Sequence, residues 1–282
     1  MEQIKQTILN KVIRPRPLHS YKGNYGRIIT IGGNYNLGGA IIMSASACVY
    51  AGAGLVTCAT DKHNLNALHT RLPEAMFVDY SDFSDLLDNL TKADVIVLGP
   101  GLGLDKLAQN ICQLVLSNLT PDQLIIIDGS AITLLVANPG LLTYLKKGQA
   151  IFTPHEMEWQ RLSQIKIADQ IPLKNKQAQL KLGQTVILKK YHTEIYHPEC
   201  DTPHQLTIGG PYMATGGMGD TLTGILAAFL GQFSSAPLTD VIDAAVYTHS
   251  AVASKLGVNN YVTLPSAIIA ELPHFMNCTI KD

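Results

Sequence analysis

The run Met213-Ala214-Thr215-Gly216-Gly217-Met218-Gly219-Asp220 sets three glycines and an aspartate ahead of an apolar stretch with helical spacing, Thr221 to Leu230. A glycine turn that opens a helix directs unpaired backbone N–H groups at one point, and the helix dipole adds positive potential there. Such a mouth suits phosphate, with Gly216, Gly217, Met218 and Gly219 as the cradle. An aspartate beside a bound anion would repel it. The conflict resolves if Asp220 is a base that takes a hydroxyl proton while that hydroxyl attacks phosphorus. A glycine turn used only for chain geometry is the plainer explanation, but three glycines followed by an aspartate at a helix start are uncommon. Because the hydroxyl proton becomes acidic only late in such a transfer, Asp220 is expected to work without a raised pKa.

Other residue patterns carry weaker chemistry. Gly32-Gly33-Asn34-Tyr35-Asn36-Leu37-Gly38-Gly39-Ala40 leaves a strand and enters a helix, and its paired glycines let backbone approach a ligand. Gly99-Pro100-Gly101-Leu102-Gly103 lacks the G-x-G-x-x-G spacing of a dehydrogenase fingerprint, so only a backbone contact to substrate is expected there. In Thr153-Pro154-His155-Glu156-Met157-Glu158, His155 and Glu158 fall near one helical face. Glu158 is a candidate magnesium ligand acting through water, against the alternative of a helix-capping carboxylate. No second His or Cys stands near enough for a known zinc pattern. Lys189-Lys190 closes a strand, where a lysine can pair with phosphate. The remaining histidines, among them His63, His197, His204 and His249, show no partner pattern, and no G-x-S-x-G elbow supports acyl transfer.

These residues need a frame. Apolar, β-rich runs predict strands at Arg27 to Ile31, Leu55 to Ala59, Met76 to Val78, Asp94 to Leu98, Leu124 to Ile127, Ala150 to Phe152 and Thr185 to Lys189. Helices are expected over Ala40 to Tyr50, Lys106 to Ser117, after Asp220, over Thr239 to Lys255 and over Pro265 to Leu272. Thr193 to Tyr196 and Gln205 to Ile208 read as short antiparallel edge strands. Continuous apolar strands separated by helices make an α/β fold, a mainly parallel central sheet with helices on both faces. Ligands bind such sheets at the carboxyl ends of the strands, where Gly32-Gly33, Gly99 to Gly103, Asp128, His155 and Lys189 all stand.

The whole chain narrows the classes. It has 282 residues, 46% of them hydrophobic, and no Pro/Gly/Ser linker divides it, so residues 1–282 read as one domain. Charged residues make up 15% and the formal net charge is -1, which gives no basic patch for nucleic acid. The longest apolar stretch, Ala40 to Leu55, is broken by Ser44, Ser46, Gly52 and Gly54, so no membrane span is expected. The start Met1-Glu2-Gln3-Ile4-Lys5-Gln6 lacks a signal-peptide core. Five cysteines without CxxC or metal-like spacing read as free thiols in a reducing cytoplasm.

Taken together, Lys22-Gly23-Asn24-Tyr25-Gly26-Arg27, Ile31-Gly32-Gly33, Gly38-Gly39-Ala40, Gly99 to Gly103, Thr153-Pro154-His155, Val186 to Lys189 and Met213 to Asp220 resemble the ADP/ATP-dependent NAD(P)H-hydrate dehydratases. The resemblance runs from about Lys22 to Lys255. It implies a ribokinase-like three-layer sandwich and a nicotinamide-repair lyase. Such enzymes phosphorylate the ring hydroxyl of hydrated NADH or NADPH (NADHX and NADPHX) and eliminate phosphate. ADP, or ATP, is the phosphoryl donor with Mg2+, and ADP users release AMP. By position, Ala40, Gly103, His155 and Asp220 would contact the hydrated cofactor, and Lys189, Lys190, Tyr191, His192, Thr193 and Gly219 the nucleotide. A homo-oligomer, by resemblance a tetramer, is implied. The chain departs from the family at Lys190, where a glycine is usual, and at Asp128-Gly129-Ser130, where a second acid is usual. A ribokinase-like small-molecule kinase for a vitamin precursor alcohol, and a non-catalytic nucleotide-binding protein, are the competing readings.

Overall fold

Along every central strand, successive side chains enter different cores. Ile28, Val95, Val97, Ile126, Ile151 and Ile187 pack into one buried cluster; Ile29, Ile96, Leu98, Ile125, Ile127, Phe152, Val186 and Leu188 pack into another. A strand that is apolar at every position therefore lies in a sheet covered on both faces. The computed structural model describes residues 1–281 and forms one ten-stranded sheet.

The strands are β1 (Glu2–Gln3), β2 (Arg27–Ile31), β3 (Leu55–Thr60), β4 (Met76–Asp79), β5 (Val95–Leu98), β6 (Leu124–Ile127), β7 (Ala150–Phe152), β8 (Thr185–Leu188), β9 (Glu194–Tyr196) and β10 (His204–Gln205). Their order is β1-β10-β9-β8-β7-β6-β5-β2-β3-β4. From β8 to β4 every pairing is parallel; β9 runs antiparallel to both its neighbours, and β1 is parallel to β10. The helices are α1 (Thr7–Val12), α2 (Gly38–Tyr50), α3 (Leu65–Arg71), α4 (Phe83–Leu90), α5 (Lys106–Ser117), α6 (Ser130–Ala137), α7 (Glu156–Ser163), α8 (Pro172–Leu182), α9 (Met218–Gln232), α10 (Leu238–Gly257) and α11 (Pro265–Lys281). Residues of α1, α2, α9, α10 and α11 fill the first core, and residues of α4, α5, α6 and α7 the second. The α/β sandwich is the expected one.

Differences from the sequence expectation are local and have causes. Asp94 lies outside β5 because its carboxylate caps the start of β2, accepting from the Arg27 N–H at 2.7 Å. Lys189 lies outside β8 and pairs only with His155. The expected strand at Gln205 to Ile208 is found at His204–Gln205, and the Leu206 N–H to Thr193 carbonyl bond (2.9 Å) carries its pairing with β9 one residue further before the chain leaves the sheet. The last helix runs through Pro273 to Lys281. The ring costs one backbone hydrogen bond, but Phe275 and Met276 beyond it pack against the first core. No helix among the described residues is long and apolar enough to cross a membrane, and all five cysteines are free.

Candidate active site

Five strand ends meet at one edge. β2 runs into Gly32-Gly33, β5 into the Gly99 to Gly103 loop, β6 into Asp128, β7 into Thr153-Pro154-His155 and β8 into Lys189. The loops interlock through backbone bonds: Gly33 N–H to Pro100 O (2.8 Å), Asn34 N–H to Gly101 O (2.7 Å) and Lys189 N–H to Pro154 O (2.8 Å). Ser130 accepts the Gly103 N–H through Oγ at 3.1 Å. It shapes the Gly103 loop rather than adding charge.

The glycine motif folds as expected, with α9 opening over this edge. Gly217 is its N-cap at φ 95°, a left-handed conformation that penalises other residues, and Asp220 is the third helical residue. Gly216 is exposed with open space around it. The start of α2 lies alongside: Met43 Sδ packs against Gly217, and Ala40 Cβ packs against Gly101. Two helix N-termini thus border the strand ends.

Charge concentrates around Lys189. Its Nζ donates to Asp128 Oδ1 at 2.6 Å, and the Thr153 hydroxyl donates to the same oxygen at 2.6 Å. Asp128 is buried, and the lysine side chain is 23% exposed. The ammonium also lies 3.0 Å from where a Cβ on Gly219 would stand, against the phosphate-loop backbone. Burial alone would lower the Lys189 pKa; the attraction of Asp128, with Glu158 and Asp220 beyond it, outweighs this and raises it. The Asp220 carboxyl is pushed up from 3.8 to about 6, first by burial and then by the negative charge of Asp128, with Lys189 pulling the other way. The sequence reading required no raised pKa at Asp220, and the fold raises it all the same. Burial at the start of α9 and the second acid, Asp128 at the end of β6, are both tertiary effects that residues within the loop do not announce.

His155 and Glu158 form a capping box at the start of α7. The imidazole Nδ1 accepts the N–H groups of Met157 and Glu158 at 3.1 and 3.3 Å, which assigns the ring proton to Nε2. Glu158 Oε2 accepts the His155 N–H at 2.9 Å, and its Oε1 lies 3.6 Å from Nε2. Glu158 is buried rather than solvated, so it caps the helix while contributing charge near Lys189. His249, set aside in the sequence, comes from α10 to the back of the loop. It lies against the Met218 backbone, and burial, then Lys189, pushes its pKa down to about 4.

The β8–β9 connection holds the other expected nucleotide residues. Lys190 pairs with the buried Glu194 at 3.1 Å. Tyr191 is 79% exposed and stacks on His192, with ring centroids 4.0 Å apart. Thr193 accepts the Leu206 N–H through its carbonyl. A flat aromatic pair thus stands beyond Lys189 at the same edge. A separate cavity of about 1060 Å³, lined by Arg14, Arg16, Tyr25, Gln232 and Met276 among others, holds none of these strand-end residues.

Residues 28–274 match the NAD(P)H-hydrate dehydratase family. The ADP-dependent (S)-NAD(P)H-hydrate dehydratase of Enterococcus faecalis is 49% identical over 98% of this chain and 93% of its own. A crystal structure of a ribokinase-like superfamily protein from Enterococcus faecalis superposes with a TM-score of 0.95 at 47% identity, covering 100% of this chain and 97% of the other. The ADP/ATP-dependent NAD(P)H-hydrate dehydratase of Bacillus subtilis, co-crystallised with ATP and Mg2+, has the same fold: TM-score 0.83, 22% identity, 99% and 98% covered.

Proposed function

The chain belongs to the NAD(P)H-hydrate dehydratase family, and from that premise we propose that it is an ADP-dependent (S)-NAD(P)H-hydrate dehydratase with Asp220 as its base. The observation that carries this reading is Asp220 itself: an acid in the first turn of a glycine-capped helix, its carboxyl pushed up to about 6 beside the Asp128–Lys189 pair. An acid with that pKa is mostly ionised at neutral pH and holds a proton well enough to take one from an alcohol.

In the proposed reaction, the ring hydroxyl of NADHX or NADPHX attacks the β-phosphorus of ADP. Asp220 takes the hydroxyl proton, and AMP leaves. The amides of Gly216, Gly217, Met218 and Gly219 cradle the transferring phosphoryl group, and Lys189 adds a fixed positive charge at Gly219. The nitrogen lone pair of the ring then expels phosphate. A proton leaves the neighbouring carbon, which restores the carbon–carbon double bond. Phosphate is a far better leaving group than hydroxide, so no strong acid is needed. The balance is hydrated cofactor plus ADP giving NAD(P)H, AMP and phosphate.

Ala40, Gly103 and His155 border the hydrated ring, with the His155 Nε2 proton available to it. Lys189, Tyr191, His192, Thr193 and Gly219 line the nucleotide, and Lys190 supports that hairpin through Glu194. The hard oxygens of Glu158 would hold a magnesium ion through water. When bound, that ion offsets phosphate charge. The chain works as a single catalytic unit over residues 1–282, as a cytoplasmic homo-oligomer, by family resemblance a tetramer.

The test supplies hydrated NADH, ADP and Mg2+, and follows the absorbance of reduced nicotinamide together with released phosphate. Both should rise in step. Asp220→Asn should keep ADP affinity and lose at least about 100-fold in turnover, the usual contribution of a positioned base. A stable phosphorylated product without recovered absorbance would refute the dehydratase reading and favour a kinase.

A further inference from the structure

A second cluster of ionisable groups lies away from the strand-end site. His197 follows β9, His204 opens β10, and Asp243 comes from α10. Asp243 Oδ1 lies 3.0 Å from His197 Nε2, and Asp243 Oδ2 lies 2.6 Å from His204 Nδ1. One donor atom from each of the three residues falls within 4.8 Å of the others. The His197 side chain is fully buried and that of Asp243 is 5% exposed. In the antiparallel β8–β9 pair, Tyr196 stands opposite Val186. His197 therefore falls opposite Thr185, the first residue of β8, at the end of the strand away from Lys189.

Two further features go beyond what a hydrogen-bonded triad requires. The Cys200 N–H donates to the His197 carbonyl at 3.3 Å, closing a turn over His197-Pro198-Glu199-Cys200. A His-x-x-Cys spacing suits a metal-binding turn; the Cys200 thiol stands outside the three-donor cluster but close enough to Asp243 and Glu2 to feel their charge. The second feature is His204, whose other ring nitrogen, Nε2, faces Glu2 Oε2 at 3.9 Å. An imidazole that offers one nitrogen to a metal commonly turns the other to a carboxylate, which fixes the ring and raises its basicity. The nearby Lys176 ammonium is already engaged, donating to the His197 carbonyl (2.7 Å) and to Gln179 Oε1 (2.9 Å).

We propose that His197, His204 and Asp243, joined by the Cys200 thiol when an ion binds, form a structural site for a zinc-class divalent ion that ties β1, the β9–β10 hairpin and α10 together. Two imidazoles, a carboxylate and a thiol select a borderline-soft metal over magnesium. Tetrahedral coordination at bond lengths near 2.0–2.1 Å needs nitrogen–oxygen separations of about 3.3 Å. The imidazole–carboxylate pairs, now at 3.0 and 2.6 Å, thus open by about 0.3 and about 0.7 Å as the ion replaces the protons shared between imidazole and carboxylate. The site is independent of the phosphoryl-transfer reading.

Chelator-stripped full-length protein titrated with Co2+ should show saturable one-to-one binding with tetrahedral ligand-field absorption and a thiolate charge-transfer band, and Zn2+ should displace the Co2+. Cys200→Ser should lose the charge-transfer band and keep the ligand-field absorption. His204→Gln, at a partly exposed position, should weaken Zn2+ affinity at least tenfold, with dehydratase turnover unchanged. Co2+ or Zn2+ binding that is absent, or that His204→Gln leaves unaltered, overturns the proposal. If the variant does not fold, crystals of the unaltered chain soaked in Zn2+ decide the matter. Anomalous density between His197 and Asp243 supports the site, and its absence there sinks it.

Discussion

Asp220 is less comfortable in the fold than out of it, and this has consequences for pH and for stability. Its carboxyl titrates near 6 in the folded chain and near 3.8 unfolded. The folded state therefore binds the extra proton between those values, and stability falls as pH rises from about 4 to about 6. Above that window the ionised carboxylate is a standing cost. Asp220→Asn should accordingly gain about 1–2 kcal/mol at pH 8 while turnover collapses. Thermal melts at pH 8 and pH 4 check this: the gain should shrink toward zero at pH 4, and a variant less stable at pH 8 would contradict the account. The same titration sets the rate profile, because only the ionised form accepts a proton. The turnover of the native chain should fall about tenfold per pH unit below pH 6. A flat profile down to pH 5 would show that Asp220 is not the base.

At the scale of elements, the site depends on how closely α2 approaches α9. Gly224 lies on the contact face of α9, and a Cβ there would stand 2.1 Å from the Ser44 carbonyl oxygen and 2.6 Å from Ala47 Cβ. The Ser44 and Thr223 hydroxyls meet at 2.9 Å across the same seam. Only a residue without a side chain lets the two N-termini border one cleft. Gly224→Ala improves helix propensity by about 1 kcal/mol, yet the collision with backbone should outweigh it and leave the protein about 1–3 kcal/mol less stable. Urea unfolding with a lowered midpoint and an unchanged slope is the expected result; a raised midpoint would show that the seam yields easily. The capping box of α7 is another case in which one element serves two ends: Glu158 holds the helix start and places negative charge near Lys189.

For the whole molecule, strands shared by two cores imply cooperative loss of both. Val97 packs on one face of β5 and Leu98 on the other, so neither layer can leave without exposing the sheet. Despite its length the chain should unfold in one transition, with far-UV and near-UV circular dichroism coinciding; two separated transitions would mean separate units. Much of this architecture was legible in the chain. Runs such as Val-Ile-Val-Leu at β5 must be covered on both sides, and three glycines before an apolar run must open a helix, because these features depend on residues a few positions apart. Four things were not legible. The Asp128–Lys189 pair joins residues 61 positions apart. Ser130 supports Gly103 rather than replacing a lost charge. His197, His204 and Asp243 converge although no spacing announces them. The proton affinity of Asp220 arises from groups that three different strand ends and helices bring together. Sequence alone determined which side chains stand at the strand ends and what each can donate or accept. Tertiary structure alone decided which charges face one another and how much water each retains, because electrostatic energy depends on separation and burial in space, and neither is set by distance along the chain.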